Sequence, residues 1–346
     1  MEKKFTVCMS FKNEGTEVLK TVKSIRDTAG DKVDIVVYND ASDDNVDYKE
    51  MLKDYNVNYY SSNIRLGSSL GKQTAINQAK TPYIFLLDAH SRIYTENWLE
   101  IATEIMEMEE SKNTLYCCIC QYFRDDTDHM NDSLYTKAYG AVFSGKYPIL
   151  HCANWNITNL SADNKPFDVP AIMGANYIFS KEYWDFIKGY QGLQLYGREE
   201  EFISLKYLLS GGSVKCIPTI HTGHKHRQGI VPYVSYLHEV YHNEMVINYI
   251  CNPDNFNTFL KFIEQEYYAN KVSVVNAVKK FKSHINELSY LQLYQRTIST
   301  KKFEDITKLN EEFKVIINYS KPEVKNIDLI NCDPNKVIPE LKEIMI

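Results

Sequence analysis

Residues 81–90 combine an uninterrupted apolar run with two side chains that bind metal ions. The stretch reads Thr-Pro-Tyr-Ile-Phe-Leu-Leu-Asp-Ala-His, and its apolar part, Tyr83 to Leu87, predicts a strand in the interior of a parallel sheet. Parallel sheets bind ligands beyond the carboxyl ends of their strands, which is where Asp88 and His90 stand. The stretch therefore predicts an α/β fold with a ligand site at one edge of the sheet.

The spacing of Asp88 and His90 suits a divalent cation. Residues two apart in an extended chain project to the same side, so a carboxylate oxygen and an imidazole nitrogen can reach one ion. This mixed donor pair suits Mn²⁺ or a similar ion. The alternative is an aspartate that caps the strand end beside a solvated histidine, since two-ligand spacings are common by chance.

Composition limits the classes of protein to consider. The chain has 346 residues, 44% of them hydrophobic, so it can bury one large core or one core with an appended region. Its net charge of −6 gives no general attraction for nucleic acid or anionic lipid. The eight cysteines, several of them in apolar runs, predict reduced core thiols rather than disulfides.

The sequence shows neither a membrane span nor a secretion signal. No segment approaches the ~20 continuous apolar residues that cross a bilayer. The stretch from Met1 to Cys8 leads directly into a predicted strand. We therefore expect a protein of the cytoplasm, or of the host cytoplasm if the gene is viral.

The first third of the chain alternates strand and helix patterns. Before the strand at Tyr83, the apolar spacing predicts strands at Phe5–Phe11, Val33–Tyr38 and Val57–Tyr60, and helices at Thr16–Thr28, Val46–Tyr55 and Ser69–Ala79. Right-handed crossovers favour a doubly wound, mostly parallel, Rossmann-like sheet whose turns collect on one edge. A nucleotide could lie along that edge.

Three polar residues of this edge fit nucleotide chemistry. Asp40 directly follows a strand, where it could accept a hydrogen bond from a uracil N–H or act as a turn residue. Arg65 and Lys72 lie in glycine-containing segments, and each could contact phosphate oxygens or be a solvated cation. A P-loop NTPase, a dinucleotide oxidoreductase and a nucleotidyltransferase are disfavoured, because the glycine-rich signatures that they need are missing.

Acids and histidines are concentrated again far down the chain. Glu199, Glu200 and Glu201 begin an apolar-rich helix, where acids complement the helix dipole. Three in a row exceed that need, so one could face the cleft as a base or a hydroxyl-binding group.

Three histidines follow a predicted strand end at Ile217-Pro218. They are His221, His224 and His226. They could supply a third ligand for the cation of Asp88 and His90 or form a polar loop, and with that pair already present we favour ligation.

Taken together, these patterns resemble a family 2-like nucleotide-sugar glycosyltransferase of the GT-A fold. The residues that carry the resemblance are Asn13-Glu14, Asn39 to Asp44, Arg65-Leu66-Gly67 and Asp88-Ala89-His90. Asp-x-His is the form found in polypeptide N-acetylgalactosaminyltransferases, in which a later Gly-His-x-x-Arg supplies a further metal ligand, like Gly223 to Arg227 here. Residues 174–213 are similar to the acceptor-side segment of that family, and the resemblance covers about residues 4–230.

The resemblance implies a UDP-sugar as donor and Mn²⁺ or Mg²⁺ as cofactor. It implies that the cation is held by Asp88, His90 and His224 and neutralises the diphosphate. It further implies that the uracil binds to Asp40 and that Arg65 contacts the nucleotide. The full set of expected donor-binding residues is Asp40, Arg65, Lys72, Asn176, Tyr196 and Arg198.

Glu199 and Glu200 are the expected catalytic residues. Glu199 aligns with the Glu of the family's Gly-Glu-Asn, and Glu200 aligns with its Asn or with the Asp of inverting relatives. If Glu200 acts as a base on the acceptor hydroxyl, the reaction inverts the configuration of the sugar. If Glu199 only holds the sugar or the acceptor, the leaving phosphate takes the proton of the hydroxyl and the configuration is retained. We expect retention. Arg198 replaces the second Gly of the family core, which suggests a different donor sugar or acceptor.

The remainder of the chain has no such match. Helical spacing at Phe256–Tyr268, Val272–Leu288 and Phe303–Ile317 predicts an α-helical appendage. We therefore expect a catalytic domain at 1–235 and a helical region at 236–346 that serves acceptor binding or homo-oligomerisation.

Three functions follow as hypotheses. The first is transfer of a sugar from a UDP-sugar to a hydroxyl of a glycan, protein or peptide. The second is transfer to a hydroxymethylated base in DNA, as in phage enzymes, and the third is a non-catalytic nucleotide-binding module. The paired acids and the ligand trio make the third the least favoured.

Overall fold

The computed structural model describes residues 2–123, 137–144, 153–156, 158–225 and 236–318. The strands are β1 (Phe5–Phe11), β2 (Asp34–Asp40), β3 (Asn58–Ser62), β4 (Tyr83–Leu87), β5 (Ser91–Ile93), β6 (Thr114–Phe123), β7 (Lys137–Ala138), β8 (Ala141–Phe143), β9 (Ala153–Trp155), β10 (Phe167–Asp168), β11 (Asn176–Ser180) and β12 (Ser213–Lys225). The α-helices are α1 (Glu17–Ala29), α2 (Tyr48–Met51), α3 (Ser68–Asn77), α4 (Trp98–Met106), α5 (Lys181–Phe186), α6 (Glu199–Leu209), α7 (Leu237–Cys251), α8 (Phe256–Ser283), α9 (Ile285–Ile298) and α10 (Phe303–Asn318). Short 3₁₀ turns span Gly30–Lys32, Lys53–Tyr55, Glu109–Asn113 and Pro253–Asn255.

Most of the strands join one large sheet in the order β10-β12-β6-β11-β4-β1-β2-β3. Strands β4, β1, β2 and β3 are parallel neighbours, as the predicted Rossmann-like unit requires. Beyond β4 the sheet is mixed, because β11 runs antiparallel to both β4 and β6. The α/β architecture with a helical C-terminal region is confirmed, and the sheet is less uniformly parallel than the sequence predicts.

Helix predictions failed where local patterns were weak. The predicted helix at 46–55 is only the short α2 followed by a 3₁₀ turn. Helix α7 was not predicted at all, because it is buried on nearly every side and its polar residues do not segregate to one face. By contrast, the two helices predicted at 256–268 and 272–288 are both present as the two parts of α8, which are separated by the non-helical Asn270, and the second part ends at Ser283.

The sheet separates two hydrophobic cores. Alternate side chains of β1 lie on opposite faces of the sheet, so Val7 belongs to one core and Cys8 to the other. The core around Val7 is covered by α1 and α4, whereas the core around Cys8 also contains Phe202, Val246 and Phe281 of the helices. The C-terminal helices thus pack into the same core as the sheet, and a domain boundary at residue 236 stays a prediction.

Two further expectations concern cysteines and membranes. The described cysteines are all buried and unpaired, in agreement with reduced core thiols. Among the helices in the described ranges, none is both long enough and apolar enough to cross a bilayer.

The shared core predicts that the sheet and the helices unfold together. Val246→Ala removes two methyl groups from a fully buried position on α7 and should lower the free energy of unfolding by about 2 kcal/mol. The matched control, Val272→Ala on α8, changes a side chain that is 74% exposed and should shift stability by no more than about 0.5 kcal/mol. Urea unfolding followed by circular dichroism and fluorescence should give one transition, and two separate transitions would instead support independent domains.

Candidate active site

A cleft of about 510 Å³ opens at the carboxyl ends of β1, β2 and β4. Its volume is in the range of small-molecule sites. Residues from the sheet edge, from the turn before α3 and from the start of α6 line it, and they include Ser10, Lys12, Glu14, Asp40, Arg65, Lys72, Asp88, His90, Trp155, Gly174, Tyr196, Arg198, Glu199, Glu200 and His224.

Strand pairing brings the predicted metal ligands together. Asp88 and His90 follow β4, and the short β5 then pairs antiparallel with β12, which sets His224 opposite Ser91. The backbone N–H of Lys225 also donates to the carbonyl of His90 at 3.0 Å. One donor atom from each of the three ligand residues lies within 4.8 Å of the others. The predicted trio is therefore present as a cluster, with His224 Nε2 3.0 Å from His90 Nε2 and 3.2 Å from Asp88 Oδ2.

The charges around the trio prepare it for a cation. Burial works to raise the pKa of Asp88, but Lys72, 2.8 Å from its Oδ1, and His224 outweigh burial and hold that pKa well below its usual value. Burial lowers the pKa of His224 although Asp88 opposes it, so the imidazole is neutral at pH 7. An ionised carboxylate and a neutral imidazole are the protonation states that metal binding needs. The donor set therefore fits a divalent ion, and its nitrogen ligands suit Mn²⁺ better than Mg²⁺.

Glu14 lies beside His90 and is a candidate site residue that no local pattern in the sequence singles out. Its Oε1 lies 3.3 Å from Nδ1 of His90, on the side of the ring that faces away from His224. A carboxylate in this position orients an imidazole ligand and fixes which nitrogen is free to bind. In the sequence, Glu14 is notable only because Asn13-Glu14 belongs to the pattern that resembles the glycosyltransferase family.

Asp40 holds a turn of the cleft wall. Its two carboxylate oxygens accept hydrogen bonds from the backbone N–H groups of Leu66 at 2.6 Å and Gly67 at 2.8 Å. Arg65 in that turn also lines the cleft, with Nη1 3.7 Å from Oε1 of Glu239 on α7. Asp40 and Arg65 are thus placed together, and their contacts with a nucleotide stay a prediction.

The two predicted catalytic acids also line the cleft. Glu199 is 5% exposed, and within the described structure its Oε1 has no hydrogen-bond partner. The carboxyl group of Glu200 packs directly against Gly174, where a Cβ atom would collide with it. Burial, with the charges of Glu201 and Glu199, raises the pKa of Glu200 to about 8, although Lys72 opposes this.

Of the three remaining predicted donor-binding residues, two line the cleft and one does not. Tyr196 lines the cleft and is 36% exposed. Arg198 also lines it, but its guanidinium is paired with Glu244, at 2.9 Å from Nε, and with Glu201. Asn176 is not brought to the cleft. Its amide joins strands inside the sheet, accepting from the Cys118 N–H and donating to Thr222 Oγ1.

His221 and His226 are the other two candidate ligands of the histidine cluster. His221 lies on β12, because the strand continues to Lys225 where the sequence suggested a possible loop, and it is not part of the trio. His226 and Arg227 lie outside the described residues.

Residues 6–173 match the family model described as glycosyl transferase family 2. This part of the chain, just under half of its length, is a family 2-like glycosyltransferase domain of the GT-A fold. Among curated proteins, the chain is 26% identical over 236 residues to a putative polypeptide N-acetylgalactosaminyltransferase 9 of Drosophila melanogaster, and 22% identical over 227 residues to the human polypeptide N-acetylgalactosaminyltransferase 14. These alignments cover 65% and 64% of this chain but only 36% and 41% of the relatives.

Solved structures share the glycosyltransferase fold. GalNAc-T7, crystallised with UDP, GalNAc and Mn²⁺, superposes with a TM-score of 0.65 at 20% identity, over 91% of this chain and 57% of that one. Residues 1–349 of S. aureus TarS, in complex with UDP-GlcNAc, give a TM-score of 0.50 at 14% identity, over 94% of this chain and all of that one. The likeness extends beyond residue 173 into the part that the family model does not cover.

The contact between Gly174 and Glu200 predicts a strong coupling between these positions. Gly174→Ala should destabilise the protein by about 1–3 kcal/mol, because the new methyl group must displace the Glu200 carboxyl group. In a Glu200→Ala background the same change should cost less than about 0.5 kcal/mol. Urea unfolding of the two single variants, the double variant and the wild type measures the coupling. Equal costs in both backgrounds would contradict this contact.

Proposed function

We propose that the glycosyltransferase is metal-dependent and transfers a sugar from a UDP-sugar to a hydroxyl acceptor on a glycan, protein or peptide, with retention of configuration. The observation that carries this proposal is the convergence of Asp88, His90 and His224 in the cleft. Glu199 and Glu200 line the same cleft, so the cation site and these predicted catalytic acids can act on one substrate.

The donor would be bound largely through charge. Mn²⁺, or Mg²⁺, would be held by Asp88, His90 and His224, and when bound it supplies positive charge to stabilise the leaving diphosphate. Arg65, which lines the same cleft, would contribute further positive charge, and Lys72 maintains the ionised state of Asp88. The uridine nucleotides named with GalNAc-T7 and TarS support UDP as the leaving group.

The environment of Glu200 supports retention. With a pKa of about 8, this carboxyl group is mostly protonated at pH 7 and is a poor base there. An oxygen of the leaving phosphate would then take the proton of the acceptor hydroxyl. The bond from the anomeric carbon to the phosphate oxygen breaks, and the bond to the acceptor oxygen forms on the same face of the sugar.

The acceptor side of the cleft carries aromatic surface. Trp155 is 37% exposed and Tyr196 is 36% exposed, and both line the cleft. Aromatic faces of this kind suit sugar rings and peptide segments. The names of the curated relatives favour a polypeptide hydroxyl as the acceptor.

Release of UDP in the absence of an acceptor tests the metal-dependent reaction. The purified protein should release UDP from one of UDP-glucose, UDP-galactose, UDP-GlcNAc or UDP-GalNAc when Mn²⁺ is present and not when EDTA is present. His224→Ala should reduce this release by more than about 10²-fold, since even residues that only orient a metal ligand are worth 10- to 100-fold.

The matched control is His221→Ala, which changes a histidine of the same strand outside the trio and should keep the wild-type rate. Unchanged release in EDTA, or equal effects of the two histidine variants, would refute metal dependence. Absence of turnover together with absence of UDP binding by calorimetry would refute the proposed donor.

The pH dependence of turnover tests the role of Glu200. The protonated carboxyl group is the form that we assign to the active enzyme, so the rate should fall as the pH rises through about 8. Glu200→Gln cannot ionise, and it should keep activity within about tenfold of the wild type and lose that alkaline decline. A loss of 10³-fold or more in Glu200→Gln, or a rate that rises with pH as Glu200 ionises, would instead identify a general base and an inverting reaction.

A further inference from the structure

The segment 194–198 is a strained part of the cleft wall. It carries Tyr196 and Arg198 into the cleft and leads directly into α6, where the catalytic acids begin. Leu195 has φ 56° and Arg198 has φ 75°, and both values lie in the left-handed region that non-glycine residues rarely adopt. Such a conformation persists only where the surrounding structure holds it.

One support comes from the sheet edge. Leu195 forms a parallel β-bridge with Gly67, and a side chain at Gly67 would collide with the backbone of Leu195. Because Asp40 accepts the N–H of Gly67, this support is itself anchored to the end of β2.

The other support is Asn243, which is fully buried on α7. Its Nδ2 donates to the carbonyl oxygens of Gln194 at 2.9 Å, Tyr196 at 3.3 Å and Gly197 at 2.8 Å. Its Oδ1 accepts the backbone N–H of Gln194 at 3.0 Å. One amide side chain therefore contacts three of the five residues in the segment.

Neighbouring residues of α7 hold the same wall. Glu244 pairs with Arg198 through Nε at 2.9 Å, and Glu239 lies 3.7 Å from Arg65. Val240, between them in sequence, lines the cleft. Helix α7 lies outside the region that matches the family model, yet its side chains support both walls of the cleft.

We propose that Asn243 is a positioning residue of the transfer site, which holds residues 194–198 so that Glu199 and Glu200 face the donor. This proposal rests on the proposed function for its catalytic consequence. It also assigns α7 to the transfer machinery, in place of the separate acceptor-binding or oligomerisation role that the sequence suggested for residues 236–346.

Two variants at this position separate the roles of the amide. Asn243→Ala removes all of its hydrogen bonds, whereas Asn243→Asp keeps the acceptor for Gln194 and loses the three donor contacts. The matched control is Asn248→Ala, which alters another buried asparagine of α7 whose amide donates to the Glu244 carbonyl within the same helix.

The first measurement is steady-state UDP release by the full chain, with calorimetry of UDP itself as the probe of nucleotide binding. In both Asn243 variants, kcat should fall roughly tenfold to a hundredfold, since a displacement of reacting groups by about 1 Å has effects of this size. The Kd for UDP should stay near the wild-type value, because Asp40 and Arg65 are held by other contacts. If Asn243 only stabilised the fold, its variants would have a lower Tm and a smaller folded fraction, so kcat and UDP binding would fall together. That result would overturn the proposal.

The second measurement does not depend on activity. Hydrogen exchange followed by mass spectrometry should show faster exchange in the peptide that contains residues 194–198 in the Asn243 variants, and wild-type exchange there in Asn248→Ala. Unchanged exchange in that peptide would overturn the proposal even if activity fell. Should the wild type release no UDP, the proposed function fails, and the exchange result still decides whether Asn243 holds the segment.

If Asn243→Ala does not fold, two milder changes replace it. Asn243→Asp is nearly isosteric, and Glu244→Gln keeps its size while weakening the pairing with Arg198 on the same segment. Faster exchange at 194–198 with reduced kcat in Asn243→Asp supports the proposal, and wild-type behaviour of Asn243→Asp rejects it; Glu244→Gln shows how much of the effect the pairing with Arg198 alone accounts for.

Discussion

The antiparallel pairing of β5 with β12 is the interaction on which the site depends. It places His224 opposite Ser91, directly after the strand end that carries Asp88 and His90. Side chains of a strand alternate between faces, so a shift of one residue would turn the His224 imidazole away from the other two ligands. An irregularity in the pairing of β12 with β6, between Ile217 and His221, precedes this stretch and adjusts its register. The local Asp-x-His spacing thus supplies two members of the predicted ligand trio, and strand register supplies the third.

The two walls of the cleft are joined by a continuous series of contacts. Asp40 holds the turn at Gly67, Gly67 meets Leu195, and the segment that follows Leu195 is held by Asn243. The turn that carries Arg65 and the segment that leads to Glu199 and Glu200 are therefore fixed to each other, in part through backbone contacts. Since reaction geometry must be held to fractions of an ångström, this connection matters as much as the identity of the acids themselves.

The sequence predicted those parts of the site that depend on short-range patterns. The strand Tyr83–Leu87 was found with its observed bounds because its apolar run is buried on both faces, and Asp88 and His90 follow from their spacing. The cluster of His221, His224 and His226 predicted a third ligand, but only the family resemblance selected His224, since its place depends on a long-range strand pairing. Asn176 was assigned to the donor, but its amide is used to connect strands. Nothing in a local pattern distinguishes a buried polar residue that serves the fold from one that serves a ligand.

Arg198 shows how a departure from the family pattern is accommodated. It occupies the place of the second glycine in the family core, and its φ of 75° is one that glycine adopts without steric cost. An arginine there must be held, and Glu244 of α7 and Glu201 of α6 both pair with its guanidinium. The backbone freedom of a glycine is thus replaced by ion pairs that reach into the C-terminal helices. Because those helices share a core with the sheet, the arginine connects the wall of the cleft to helices that lie outside the residues matched by the family model.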